Sequence, residues 1–144
     1  MLNEFSDNLI ELINEEKITI EQFAESVNID MSEIYRYIRK ECIPNLTNII
    51  KIADCYNYSI DYLLGFIPFP ENAVFKPTPP FSQAFKNFLN QKGITRYKLN
   101  KETGISINRL DDWYFGRFNP SIDKLIKIKK HFGCSIDYLV GRES

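Results

Sequence analysis

Histidine, cysteine and glycine are scarce in this chain, and each scarcity argues against a class of function. There is one histidine, His131, and the three cysteines (Cys42, Cys55, Cys134) are odd in number with no CxxC spacing, so neither a disulfide framework nor a zinc knuckle is expected. His131 and Cys134 are close in sequence, but with no acidic or thiol partner beside them they suggest neither a metal site nor a nucleophile. The six glycines include no phosphate-cradling loop, and no triad or paired-carboxylate motif is present, so neither an enzyme nor a bound cofactor is expected. No apolar run approaches the ~20 residues that span a bilayer, and the start is neither basic nor followed by a cleavable apolar stretch. A soluble, cytoplasmic protein without membrane association is the expectation. No segment alternates apolar and polar residues as a half-buried strand does, which points to an all-α chain.

What the chain does have is a repeat. Residues 5 to 66 and 81 to 142 align without a gap at an offset of 76. Ser59-Ile60-Asp61-Tyr62-Leu63 recurs as Ser135-Ile136-Asp137-Tyr138-Leu139, Gly65 as Gly141 and Pro44 as Pro120. Two units of about 60 residues, each near the lower limit for independent folding, are therefore expected. Their bounds are residues 1–66 and 81–144, with a linker at 67–80. That linker holds Pro68, Pro70, Pro77, Pro79 and Pro80, which favour extended polyproline geometry, while Ile67, Phe69, Val74 and Phe75 make it too apolar for a freely solvated spacer. Net charge is −1, yet residues 1 to 66 carry five Lys or Arg against twelve Asp or Glu, and residues 67 to 144 carry thirteen against seven. A polyanion should prefer the second half.

Each unit reads as five short helices, from apolar residues at three- and four-residue spacing between capping and turn residues. Ser6 and Ser82 are placed to cap the first helix, which ends at Lys17 or Gly93. Thr19 and Thr95 cap the second, Thr19 with Gln22 as a capping box. Asn28 and Gly104 suit a left-handed stop, after which Asp30 (with Glu33, again a capping box) and Ser106 start the third helix. Asn45 and Ser121 cap the fourth, Asn57 and Gly133 end it, and Ser59 and Ser135 start the fifth.

With these residues in place, the chain resembles the lambda-repressor-like, or XRE, helix-turn-helix family twice over. In the second unit Thr95, Leu99, Gly104, Ile105, Ser106, Leu110, Trp113, Gly116, Pro120, Ser121, Asp137, Leu139 and Gly141 fall on the family's pattern. The resemblance implies two tandem five-helix helix-turn-helix domains joined by the Pro-rich linker. It also implies a sequence-specific transcriptional regulator, of repressor type, with double-stranded DNA as partner. There are two departures. Asn100 stands where the family favours a small residue, implying looser packing of the second and third helices; the Gln that often follows the Thr cap and meets a phosphate is replaced by Ile20 and Arg96.

A helix-turn-helix lays its third helix in the major groove. With Ile34 and Tyr37, or Leu110 and Trp113, toward the core, the base readers are expected among Met31, Ser32, Tyr35 and Arg36, and among Ile107, Asn108, Asp111 and Asp112. Adjacent carboxylates facing phosphates repel, so at most one of Asp111 and Asp112 should approach a base. Phosphate clamps are expected at Arg96, Arg109 and Arg117, with the helix start at Ser121, and at Arg36, Arg39 and Lys40, with the helix start at Asn45. Fourteen linker residues at ~3.1 Å each reach about 43 Å, enough to set two recognition helices in successive major grooves ~34 Å apart.

A second reading starts from the acidic first unit, whose charge opposes DNA except near Arg36, Arg39 and Lys40: it serves dimerisation or capture of another protein. The resemblance puts family dimer contacts near Tyr56 and Tyr58, or Phe132 and Cys134, so a homodimer or protein partner is the alternative expectation, with pairing of the two units within one chain as the other use of those residues. Lys124, Lys127, Lys129 and Lys130 read as the solvated face of a helix.

Overall fold

The computed structural model describes residues 1 to 143, and every regular element among them is an α-helix. In order these are α1 (Leu2–Glu15), α2 (Ile20–Val27), α3 (Met31–Ile38), α4 (Leu46–Tyr56), α5 (Ile60–Leu63), α6 (Phe81–Lys92), α7 (Arg96–Thr103), α8 (Ile107–Tyr114), α9 (Ile122–Phe132) and α10 (Ile136–Leu139). The chain divides into two compact units, Met1–Phe75 and Lys76–Ser144. From α2 and α7 onward, each helix of the second unit starts and stops 76 residues after its twin, so the repeat in sequence is a repeat in structure.

Turn chemistry enforces that register. Thr19 accepts the Gln22 amide at 3.0 Å while the Gln22 side chain accepts the Thr19 amide at 2.9 Å, closing the capping box at the start of α2. Asn45, Ser59, Thr95, Ser106, Ser121 and Ser135 each accept an amide three residues on, a cap worth about 1 kcal/mol apiece. Helices α2, α4, α7 and α9 are stopped by left-handed residues, Asn28 (φ 54) and Asn57 (φ 57) in the first unit, Gly104 (φ 75) and Gly133 (φ 64) in the second.

Three helix starts depart from the sequence expectation. Helix α1 begins at Leu2, so Ser6 lies inside it; fully buried, its Oγ donates to the Ile38 carbonyl at 2.8 Å and ties α1 to the end of α3. Helix α6 begins as soon as the chain leaves Pro80, which places Ser82 in its first turn rather than at its cap. Asp30 stands at the cap position of α3, but its side chain takes no amide, and the intended capping-box partner Glu33 instead accepts from Arg36 at 2.8 Å.

Each unit closes over its own core. Phe5 meets Tyr37 edge-on at 5.5 Å in the first, and in the second Phe81 and Phe85 pack edge-on to Trp113 at 6.1 and 5.6 Å. These rings are all buried, each contributing about 1.5–3 kcal/mol by leaving water. The second unit also buries an ion pair, Asp137 with Arg142, each side chain 1% exposed; at the position of Arg142 the first unit has Phe66. The proline-rich segment is anchored at three points. Phe69 packs edge-on to Tyr58 and Tyr62 (5.6 and 5.2 Å), the Lys76 amide donates to the Arg142 carbonyl at 3.0 Å, and a Cβ at Gly141 would lie 2.7 Å from Pro79. The full extended reach of residues 67–80 is therefore available only if these anchors release.

Candidate nucleic-acid interface

The helix pairs α2–α3 and α7–α8 each meet through a left-handed turn. In the second unit the Asn100 amide donates to the Ile105 carbonyl at 2.7 Å, and Thr103 both donates to the Leu99 carbonyl (2.7 Å) and accepts the Ile105 amide (3.3 Å). Asn100 thus clasps the turn: its side chain is long enough to span the bend and satisfy a carbonyl there, where a small residue could not.

The third helices bury the faces expected of them. Ile34, Tyr37, Leu110 and Trp113 are all 3% exposed or less. On the outer side Met31, Ser32, Tyr35, Arg36, Asn108 and Arg109 are exposed, and Ile107, Asp111 and Asp112 are half-buried. Arg39, Lys40, Arg117 and Ser121 are exposed, and Arg96 is half-buried. Ser121 holds the first turn of α9 by accepting the Lys124 amide.

The cations expected to clamp phosphate are, with one exception, matched by carboxylates. Arg96 donates to Asp111 at 2.6 Å while its guanidinium lies over the rings of Tyr114 (4.1 Å) and Phe115 (5.2 Å). Arg117 donates to Asp112 at 2.8 Å and lies 5.3 Å from the Phe115 ring. The two adjacent carboxylates are accommodated because each has its own arginine. In the first unit Arg36 pairs with Glu33, Arg39 with Glu41, and Lys40 with Asp7 at 3.6 Å. The Glu33 hydrogen bond raises the Arg36 pKa above its ordinary value, followed by smaller coulombic contributions. Arg109 makes no ion pair with any described residue. Exposed pairs of this kind contribute ~0–1 kcal/mol each, so an arriving phosphate can displace the carboxylate.

Sequence reading missed this pairing. Asp112 and Arg117 occupy the positions of Arg36 and Glu41 with the charges reversed, but in the first unit those two residues pair instead with Glu33 and Arg39. It also found no acid beside His131, whereas folding brings Glu102 of α7 to 3.0 Å from His131 of α9. The aromatic residues named as dimer contacts pack within their own units: Tyr56 stacks on Phe23 at 5.6 Å and shares a 2.6 Å hydrogen bond with Ser26, Tyr58 meets Tyr62 and Phe69, and Phe132 packs on Phe88 at 5.2 Å.

A helix-turn-helix family model matches residues 9–63 and again residues 85–139. The chain is 30% identical over 100 residues, covering 68% of its own length and 84% of the relative's, to a protein of Bacillus subtilis (strain 168) named "Uncharacterized HTH-type transcriptional regulator YobD". No solved structure matches the chain. No helix among the described residues is long and apolar enough to cross a membrane.

Proposed function

The chain belongs to the helix-turn-helix family, and on that premise we propose that it is a sequence-specific transcriptional regulator of repressor type whose second unit is the principal reader of duplex DNA. The observation that carries this reading is the outer face of α8, where Asn108 and the unmatched Arg109 stand exposed beside two arginines held only by partly exposed carboxylates. With α8 in the major groove, Asn108 pairs with adenine N6 and N7, and Ile107 contacts a thymine methyl group. Arg109 holds a phosphate, Arg96 and Arg117 exchange Asp111 and Asp112 for phosphates, and the amides at the start of α9 beside Ser121 donate to another. Met31, Ser32, Tyr35 and Arg36, with Arg39 and Lys40, form the corresponding face of the first unit.

The second reading, in which the first unit serves a protein partner or a homodimer, is favoured by Ile20: it offers no donor where Arg96 stands in the second unit. Selection of sites from random duplexes with the full chain, followed by titration of variants on the selected site, tests both readings. Asn108→Ala should cost ~1–3 kcal/mol and relax one base, and Arg36→Ala should cost little if the second unit reads alone. A loss of ~1 kcal/mol or more with Arg36→Ala means both units read DNA. Failure to enrich any site overturns the regulator reading.

A further inference from the structure

We propose that the first unit carries a docking groove for an amphipathic, basic helix of a partner protein, at the place where the second unit presents cations. In the second unit Lys86, Ile94, Arg96, Tyr97 and Tyr114 help to line a cavity of about 380 Å³ between α6, the start of α7 and the end of α8. The positions 76 residues earlier are Ile10, Ile18, Ile20, Glu21 and Ile38. The correspondence is structural, because α2 and α3 keep register with α7 and α8, and Phe5, Leu9, Leu12 and Ile13 are buried on α1 as Phe81, Phe85, Phe88 and Leu89 are on α6.

The exchange goes one layer further, since Asp111, the partner of Arg96, corresponds to Tyr35. A charged network in one unit is therefore an apolar strip in the other. Ile10 is 37% and Tyr35 39% exposed, and Ile18, Ile20 and Ile38 are half-buried. Their side chains, the tyrosine hydroxyl apart, provide no donor for a phosphate, while the apolar area they leave in water is what a partner's side chains would cover. The Ser6 hydrogen bond to the Ile38 carbonyl holds α1 against the end of α3, so the faces that carry these residues are fixed beside one another in the free protein.

Charge decides the occupant. Residues 1 to 66 carry five basic against twelve acidic residues, and the cations of α3 and the turn after it are already matched: Arg36 by Glu33, Arg39 by Glu41, Lys40 by Asp7. Glu21 borders the strip, so a basic partner is attracted and an acidic one repelled. A second copy fits poorly. Its first unit brings the same sign of charge, and its lysine-rich α9 keeps Ile122, Leu125 and Ile128 buried, so it offers charge without apolar anchors. A helix with apolar residues at i, i+3, i+4 and i+7 on a lysine background supplies both.

The test is a titration of full-length, 15N-labelled protein with a synthetic Leu/Lys amphipathic peptide of about 18 residues, five helical turns, and with a Ser/Lys peptide of equal charge. The Leu/Lys peptide should bind saturably, with amide shifts confined to the second half of α1, the start of α2 and the end of α3. Affinity should fall about tenfold or more in Ile20→Arg, which installs the residue of the second unit at a half-exposed site, and in Ile10→Lys as an independent variant. Equal binding of the Ser/Lys peptide, shifts centred elsewhere, or groove shifts that depend on protein concentration alone would each overturn the proposal, the last by making a second copy the occupant. Because the readout is peptide binding, failure of DNA reading by the second unit leaves this test intact.

Discussion

Replacing Asp111 with asparagine should strengthen binding to duplex DNA, although it removes an ion pair from the free protein. The pair is short, 2.6 Å, but its side chains are 27% and 34% exposed, so its loss should cost folding no more than ~1 kcal/mol. In the complex, a phosphate that displaces Asp111 from Arg96 leaves the carboxylate beside it, which puts two negative charges ~6 Å apart. At that separation their repulsion is about 0.7 kcal/mol in water and about 2.8 kcal/mol at an effective dielectric of 20, a gain of roughly three- to hundredfold when it is removed. Screening at ~0.15 M salt favours the lower end. Fluorescence anisotropy on a random-sequence duplex across a salt series is the assay. The plot of log affinity against log salt should steepen by about 0.9, because the Asp111 carboxylate no longer offsets the charge with which Arg96 neutralises its phosphate. Weaker binding, with relaxed preference at one base pair of a selected site, would refute the reasoning and make Asp111 a reader of cytosine. An unchanged salt slope would refute the role given to Arg96.

Three further outcomes follow from the packing. Lys40 adopts φ 63 where the second unit has Gly116, so Lys40→Gly should stabilise the first unit by about 1 kcal/mol, less a few tenths for the 3.6 Å contact with Asp7; a lower melting temperature would contradict this. Arg142→Met leaves the buried Asp137 without its cation and should cost ~3–5 kcal/mol in urea unfolding, whereas replacing both residues by apolar ones should cost much less than the sum of the single changes. Burial pushes the Tyr37 phenol up to about 12, only partly opposed by the Asn48 amide that donates to it at 3.0 Å. The folded state therefore favours the neutral phenol: this stability is fully present below pH ~10, the unfolded value, and is lost as pH rises toward about 12. Tyr37→Phe should flatten that alkaline loss, and superimposable alkaline unfolding curves for the two proteins would count against it.

Local chemistry was legible in the sequence, and chemistry that depends on distant partners was not. The box of Thr19 and Gln22, the left-handed stops at Asn28 and Gly104, and the serine caps of α5 and α10 each depend on groups within a few residues, so propensity and geometry agree. Ser6 and Asp30 present the same local signal and depart from it for different reasons: the Ile38 carbonyl that takes the Ser6 hydroxyl lies 32 residues away, whereas Arg36, one turn along α3, occupies the glutamate that Asp30 would have needed. The outer face of α8 could be named from helical periodicity, but its pairing with Arg96 spans 15 residues and a turn, and that of His131 with Glu102 spans 29. Periodicity says which way a side chain points and is silent on what folding brings to meet it.

The same separation explains how one fold carries two surfaces. Caps and core positions are constrained by stability, whereas exchanges at outward positions cost within ~0.5 kcal/mol, so the two copies are free to diverge there. They diverge in a correlated way: Ile20 against Arg96, Ile10 against Lys86 and Tyr35 against Asp111 put apolar side chains in place of charged ones, and Arg36 with Glu41 against Asp112 with Arg117 reverses the charges. The first three exchanges turn one connected group of the second unit, in which Arg96 pairs with Asp111 and shares the Tyr114 ring with Lys86, into an apolar strip in the first. The fold common to both units therefore does not assign a common function, and the residue that follows the threonine cap, isoleucine in one and arginine in the other, is where DNA binding by the two units should part.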